Sequence, residues 1–121
     1  MKSRETGRLG ERLAADYLSR NGYHILKTNY HCRGGEIDII ASKEGCLVFF
    51  EVKARRNTSF GAPEESVTAA KKKRLIETAL NYRQENEDLP SSWRIDFVAV
   101  TFGKRGEKPY IELIENAVTE D

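Results

Sequence analysis

Cysteine is scarce in this chain of 121 residues, with Cys32 and Cys46 as the only two and no Cys-x-x-Cys pair. A disulfide framework or a structural zinc site is therefore not expected, and both thiols are expected to be reduced, in or near the core of a cytoplasmic protein. No apolar run approaches the roughly 18 residues that a membrane-spanning helix needs. The N-terminal segment also has no apolar stretch of the kind that a secretory signal contains. The sequence therefore predicts neither a membrane protein nor a secreted one.

An excess of charge of either sign is also missing. Lysine and arginine together number 20 against 19 aspartates and glutamates, which leaves a formal net charge of +1. Proteins that bind nucleic acid without sequence preference usually carry a clear basic excess, so nucleic-acid binding here must depend on a local patch. Repeats, low-complexity tracts and proline-rich linkers are absent too, and a single domain over residues 1–121 is predicted.

Apolar spacing and turn signals divide the chain into helices and strands in the order α-β-β-β-α-β-β. Lys43-Glu44-Gly45 is typical of a hairpin turn, and Leu47–Phe50 is apolar throughout, which predicts a central strand covered on both faces. Arg94 and Asp96 share a strand face and are expected to form a structural ion pair. The order favours an α/β fold, a mixed sheet flanked by helices, with the last strand at an edge. The predicted bounds are helices at 3–21 and 64–87 and strands at 23–31, 36–42, 46–55, 93–103 and 110–118.

Four charged residues stand out on the second and third strands because they lie among isoleucine, valine and phenylalanine. Alternate residues of a strand share a face, so Glu36 lies beside Asp38, and Glu51 beside Lys53. The predicted hairpin brings Asp38 close to Glu51. Charges on a covered strand must be paired, solvated or bound to a metal, and oxygen ligands without Cys or His suit Mg²⁺ or Mn²⁺. A salt-bridged strand face with nothing bound explains the same spacing equally well.

Four segments of the chain carry a resemblance to a known family: GRLGERLAADYL, GGEIDIIA, FFEVKAR and the helix that begins SVTAAKKKRL. In this order they resemble the YraN-like bacterial family, which is similar to archaeal Holliday-junction resolvases. Asp38, followed thirteen residues later by Glu51-Val-Lys53, resembles the PD-(D/E)xK restriction-endonuclease-like superfamily, although Ile37 stands where that motif has proline. The resemblance covers nearly the whole chain and implies a restriction-endonuclease-like core.

The resemblance also implies roles for individual residues. Asp38 and Glu51 would hold Mg²⁺ or Mn²⁺, and Lys53 would be the lysine of the superfamily motif. Glu11 would match the acidic residue on the first helix of resolvase-like members, with a surface glutamate as the alternative. Glu36 is either an auxiliary metal ligand or a solvated residue at a strand end.

Basic residues near these positions are the predicted nucleic-acid contacts. Lys71 falls on the core-facing stripe of the second helix, where its charge either reaches the cleft as a phosphate contact or extends past the sheet edge into solvent. Lys72 and the rest of the basic run to Arg74 are expected on a solvated face with backbone-phosphate contacts. Three further arginines flank the site at strand ends and would contact phosphates if nucleic acid binds. Taken one at a time, each is explained equally well as a surface residue that keeps the protein soluble. They are Arg33, Arg55 and Arg56.

Together with these residues, the resemblance implies a small, cytoplasmic, Mg²⁺-dependent nuclease-like protein that hydrolyses phosphodiester bonds in DNA, with branched or structured DNA as the favoured substrate. DNA is favoured over RNA, and no membrane partner is expected. The first alternative is a non-catalytic nucleic-acid-binding module of a DNA-processing complex. The second alternative is an interaction protein with no nucleic-acid role. A homodimer is expected by analogy with resolvase-like relatives.

Overall fold

The computed structural model describes residues 3–56, 67–104 and 106–119. Within these ranges the chain forms two helices and five strands in the predicted order. Neither of the helices described is long and apolar enough to cross a membrane. The helices are α1 (Ser3–Arg20) and α2 (Ala69–Glu85), and the strands are β1 (His24–Cys32), β2 (Gly35–Lys43), β3 (Cys46–Arg55), β4 (Ser92–Thr101) and β5 (Tyr110–Val118).

The strands form one mixed sheet in the order β1-β2-β3-β4-β5. β3 and β4 are parallel, and the other neighbouring pairs are antiparallel. A parallel pair requires a crossover connection, and the segment that contains α2 provides it. Between β2 and β3, Glu44 and Gly45 both have positive φ, 50° and 76°, as the tightest hairpin turns require. The mixed sheet, the hairpin and the edge position of β5 are thus confirmed.

The sheet separates two apolar layers. On one face α2 packs through Leu75 against Phe49, and on the other face α1 packs through Leu18 against Phe50. All four side chains are buried, and consecutive strand residues point to opposite faces. The prediction of a central strand covered on both sides is therefore confirmed. Each of these side chains contributes about 1.5–3 kcal/mol through burial.

Helix α2 begins later than its sequence pattern suggests. Thr68 is its N-cap, and the Thr68 side chain accepts a hydrogen bond from the Lys71 backbone N–H at 3.1 Å. A helix that runs unbroken from residue 64 is therefore wrong, because Val67 and Thr68 are not helical and Thr68 caps the helix. Residues 64–66 lie outside the described ranges. At the other end, the Asn86 side chain donates to the Tyr82 carbonyl at 2.8 Å, and the helix stops two residues before the predicted end.

A buried ion pair joins β4 to β5 and to the residue before β1. Asp96 is fully buried, and Arg94 Nε lies 3.0 Å from both of its carboxylate oxygens, as their shared face predicts. The Asn116 backbone N–H donates to Asp96 Oδ1 at 2.8 Å, and Arg94 Nη2 donates to the Tyr23 hydroxyl at 2.9 Å. Because both Asp96 oxygens have donors, this cluster has a structural role that explains it fully.

Candidate functional site

Asp38 and Glu51 lie at the point where β2 and β3 separate. Pairing between the two strands ends at Ile39 and Phe50, so Asp38 and Glu51 are the next residue on each strand. The Val52 backbone N–H donates to Asp38 Oδ2 at 2.7 Å, and this carboxylate oxygen therefore replaces a main-chain acceptor. The open end of the hairpin thus carries one carboxylate on each strand.

Four carboxylates interact electrostatically at this end of the sheet, and we call them the acidic cluster: Glu11, Glu36, Asp38 and Glu51. Burial raises the pKa of Asp38 to about 8, and the charge of Glu51 adds to the rise, whereas the Val52 donor opposes it. Burial also raises the pKa of Glu11, with smaller contributions from Glu36 and Glu51. Carboxylates that repel one another gain from a proton or a cation. The cluster therefore favours binding of positive charge.

Lys71 brings positive charge to Glu51 without completing its hydrogen bonds. The Lys71 Nζ atom lies 3.3 Å from Glu51 Oε2, and the Glu51 side chain is buried. The Oε2 atom nevertheless accepts no hydrogen bond, and no other buried side-chain nitrogen or oxygen within the described ranges lacks one. A buried charged oxygen without a donor is energetically unfavourable. This atom is therefore suited to a ligand that supplies a cation or a donor.

Gly10 allows α1 to approach β3 closely beside the acidic cluster. A Cβ atom built on Gly10 would lie 2.6 Å from Ala54 Cβ, which is closer than two side-chain carbons approach each other. Glu11 follows directly on the helix and is half-buried. Sequence reasoning missed the role of Gly10, although a glycine inside a helical pattern is the usual signal for close packing.

Gly10→Ala is expected to destabilise the fold by ~1–3 kcal/mol, because the new methyl group pushes α1 away from β3. Gly7→Ala is the matched control, since Gly7 lies one turn earlier and a Cβ there would meet nothing within 4 Å. That substitution is expected to stabilise the protein by roughly 0.5–1 kcal/mol through helix propensity. Urea unfolding of both variants and of the wild type measures the two free energies. A Gly10→Ala variant as stable as Gly7→Ala would contradict the close contact.

The basic residues predicted around the site are only partly gathered there. Lys53 shares a strand face with Glu51 and is half-buried. The Arg55 guanidinium hydrogen-bonds a threonine hydroxyl on β4 at 3.3 Å, and Arg56 is exposed just after β3. Lys72 lines a separate groove along α2, so the structure does not bring it to the acidic cluster. The spacing of Lys72 alone could not show which side of α2 it occupies.

A cavity of about 430 Å³ lies between the β1–β2 turn and α2, and we call it the turn cavity. Arg33, Glu36 and Lys71 line it, as does Arg74. The Glu36 carboxylate lies 3.2 Å from His31 Nδ1 at its exposed rim. Arg74 is exposed, as its predicted place on a solvated face implies, and it lies three residues after Lys71, on the side of α2 that lines the cavity. The turn cavity thus brings three cationic side chains beside Glu36 of the acidic cluster.

The described side chains contain no group of three or more His, Cys, Asp or Glu residues arranged to hold a metal. Asp38 and Glu51 form a pair, and Glu51 Oε2 accepts no hydrogen bond, its neighbour being the Lys71 ammonium at 3.3 Å. Mg²⁺ commonly binds through one or two carboxylates and completes its shell with water and substrate phosphates. The two carboxylates therefore fit a hydrated divalent cation.

This fold and site define a small mixed α/β protein whose paired carboxylates stand at the open end of a central β-hairpin. Residues 10–100 match the uncharacterised protein family UPF0102, and the chain belongs to that family. The predicted resemblance to the YraN-like family is thereby confirmed.

Relatives in this family match the chain over almost its full length. The UPF0102 protein of Dehalococcoides mccartyi is 43% identical over 98% of this chain and 96% of its own length. The UPF0102 protein of Roseiflexus castenholzii is 45% identical over 94% of this chain and 93% of its own length. The UPF0102 protein of Geobacter metallireducens is 39% identical over 97% of this chain and 94% of its own length. The family name carries no activity, so function must be argued from the site.

Proposed function

We propose that this protein is a Mg²⁺- or Mn²⁺-dependent phosphodiesterase acting on DNA, with the restriction-endonuclease-like fold and PD-(D/E)xK site that its sequence resembles. The observation that carries the proposal is the Asp38–Glu51 pair, with one buried oxygen that accepts no hydrogen bond. The observed element order agrees with the α-β-β-β-α-β order of the core that the resemblance implies. Branched or structured DNA is the proposed substrate class.

Each residue of the site has a distinct task in this proposal. Asp38 and Glu51 would hold the cation, which when bound polarises a phosphate oxygen and lowers the pKa of a coordinated water. Lys53 presents an ammonium on the same strand face as Glu51, where it can stabilise negative charge that develops on the phosphate. Glu11 adds a half-buried carboxylate that can accept a hydrogen bond from water.

Two observations favour a second candidate, a nucleic-acid-binding module without turnover. Lys71 already neutralises Glu51 at 3.3 Å, and the described residues hold a pair of suitable carboxylates rather than a complete ligand set. Such a protein would use its basic residues to bind phosphates. Its binding would weaken with salt, as phosphate contacts do, and no strand would be cut.

Mn²⁺ titration by calorimetry and a DNA cleavage assay test the proposal. Wild-type protein is expected to bind Mn²⁺ and to cut at least one of three DNA forms: junction, duplex or single-stranded. Glu51→Gln is expected to lower Mn²⁺ affinity at least ~10-fold and to abolish cleavage, because one charged ligand is lost. Glu77→Gln, an exposed change on α2, is the matched control and is expected to behave as wild type.

The outcomes separate the two candidates. Salt-sensitive DNA binding in Mn²⁺ without cleavage would favour the binding module. Full cleavage of DNA by a folded Glu51→Gln variant would contradict the proposed mechanism.

A further inference from the structure

The turn cavity has the charge that a phosphate group needs. Arg33, Lys71 and Arg74 line it, and Glu36 is the acidic residue among its lining side chains. The Glu36 carboxylate oxygen Oε2 already lies 3.2 Å from His31 Nδ1. Three cationic side chains against one carboxylate leave a positive concavity, and planar guanidinium groups bind phosphate oxygens well.

The wall of the turn cavity is a built feature of the fold. Gly35 has φ of 153°, and a Cβ atom on it would lie 2.8 Å from Thr78 Oγ1. The Thr78 hydroxyl is buried and donates to the Arg74 carbonyl at 2.7 Å. The β1–β2 turn is therefore packed directly against α2 at the level of Arg74. This contact fixes the distance between the two sides of the cavity.

Lys71 belongs to both the turn cavity and the acidic cluster. Its side chain is 29% exposed and lines the cavity, while its ammonium lies 3.3 Å from Glu51 Oε2. That oxygen accepts no hydrogen bond from the ammonium. The contact is therefore an ion pair without a hydrogen bond to fix its geometry. A divalent cation at Glu51 would repel the Lys71 ammonium. The flexible lysine stem lets the charge turn into the cavity instead.

We infer that the turn cavity binds a phosphate group of a nucleic-acid strand and that Lys71 couples this site to the acidic cluster. In the free protein the Lys71 ammonium neutralises Glu51. Binding of a divalent cation at Asp38 and Glu51 releases the ammonium to the phosphate, so each ligand strengthens binding of the other. The inference rests on the proposed function, because it takes the cation site from it.

The coupling is tested by calorimetric titration of Mn²⁺ into wild type, Lys71→Met and Lys72→Met. Removal of the Lys71 charge removes a competitor of the cation, and Mn²⁺ is expected to bind roughly fivefold tighter or more. Lys72→Met is the matched control on the neighbouring residue, which lines the separate groove, and its affinity is expected to be unchanged. Thymidylyl-thymidine at saturating concentration is expected to raise the Mn²⁺ affinity of the wild type but not of Lys71→Met.

The phosphate site is tested without metal, by NMR in EDTA. Thymidylyl-thymidine and its 5′-phosphorylated form are titrated while amide signals of the glycines are followed. Gly34 and Gly35 line the cavity and are expected to shift, whereas Gly45 in the β2–β3 turn is the internal control. Arg74→Ala is expected to remove the shifts. Equal shifts with both probes indicate a backbone phosphodiester, and shifts with the 5′-phosphorylated form alone indicate a terminal phosphate.

The results distinguish failure of this inference from failure of the proposed function. Unchanged or weaker Mn²⁺ binding by folded Lys71→Met, beside a wild type that binds Mn²⁺, would overturn the coupling alone. Absence of Mn²⁺ binding and of cleavage in the wild type would overturn the coupling and the proposed function together. If the amide signals of Gly34 and Gly35 do not shift, the inference that the turn cavity binds phosphate is overturned. Thermal unfolding checks that Lys71→Met is folded, and Lys71→Gln replaces it if it is not.

Discussion

Asp38→Asn is expected to stabilise the metal-free protein and to abolish its Mn²⁺ binding. Burial and the nearby charge of Glu51 disfavour the ionised Asp38 carboxylate, and asparagine removes that charge. The amide oxygen of asparagine can still accept the Val52 N–H bond, which is 2.7 Å long in the wild type. We expect a gain on the order of 1–3 kcal/mol at pH 8 in EDTA, as when buried charges are replaced by neutral groups. Each kcal/mol corresponds to a rise of about 4 °C in Tm for a domain of this size.

The stability difference between the two proteins is also expected to depend on pH. The pKa of Asp38 is raised to about 8 in the folded protein, so the folded state binds this proton more tightly than the unfolded state does. The stabilising effect of the proton is complete below about pH 4, the ordinary pKa of aspartate, and is lost as the pH rises towards 8. The advantage of Asp38→Asn over wild type should therefore grow between pH 4 and pH 8 in EDTA.

Two controls test whether the stability gain is specific to Asp38. Asp16→Asn changes an exposed aspartate on α1 and is expected to alter stability by less than ~0.5 kcal/mol. Added Mn²⁺ should stabilise wild type and Asp16→Asn but leave Asp38→Asn unchanged, because only protein that binds the ion gains from it. If Asp38→Asn proved less stable than wild type across this pH range, the Asp38 carboxylate would stabilise the fold itself, and its proposed role as a cation ligand would lose this support.

The meeting of Asp38 and Glu51 could be predicted because it depends on local rules alone. Alternation along a strand assigned Glu51 and Lys53 to one face, and the Lys43–Gly45 turn set the hairpin register. The same periodicity gave the element order and the two faces of β3. These features need no knowledge of distant residues, since strand pairing across a tight turn is fixed by the turn itself.

The contacts of Lys71 and Gly10 depend on how the helices dock, which the sequence does not encode locally. Sequence reasoning left two interpretations of Lys71 open, and the structure places its ammonium beside Glu51. The close approach of Gly10 to Ala54 is a contact between residues far apart in the chain. The late start of α2 at Ala69 has a different cause, because a threonine cap interrupts a pattern that otherwise continues. Tertiary packing thus decided what spacing alone could not.

Phe49→Ala is expected to have the largest effect on stability, a loss of ~3–5 kcal/mol. Phe49 is fully buried in the layer between the sheet and α2. Its ring meets Tyr82 and Trp93 edge-on, each at 5.9 Å between centroids, and such pairs contribute beyond the buried area. Since a domain of this kind is stable by only about 5–15 kcal/mol, this one truncation removes a large share. Urea unfolding by far-UV circular dichroism measures the loss.

Phe102→Ala is the matched control for Phe49→Ala, because Phe102 is half-buried just after β4 and its truncation should cost clearly less. Phe49→Leu is the milder variant if Phe49→Ala does not fold, with an expected loss of about 1–1.5 kcal/mol. Although Phe49 shares a strand face with Glu51, it contributes no charge to the acidic cluster, so folded Phe49→Leu should bind Mn²⁺ as wild type does. Asp38→Asn should show the reverse, with higher stability and no Mn²⁺ binding. A parallel loss of both properties in Phe49→Leu would mean that the packing under β3, rather than the carboxylates themselves, sets cation affinity.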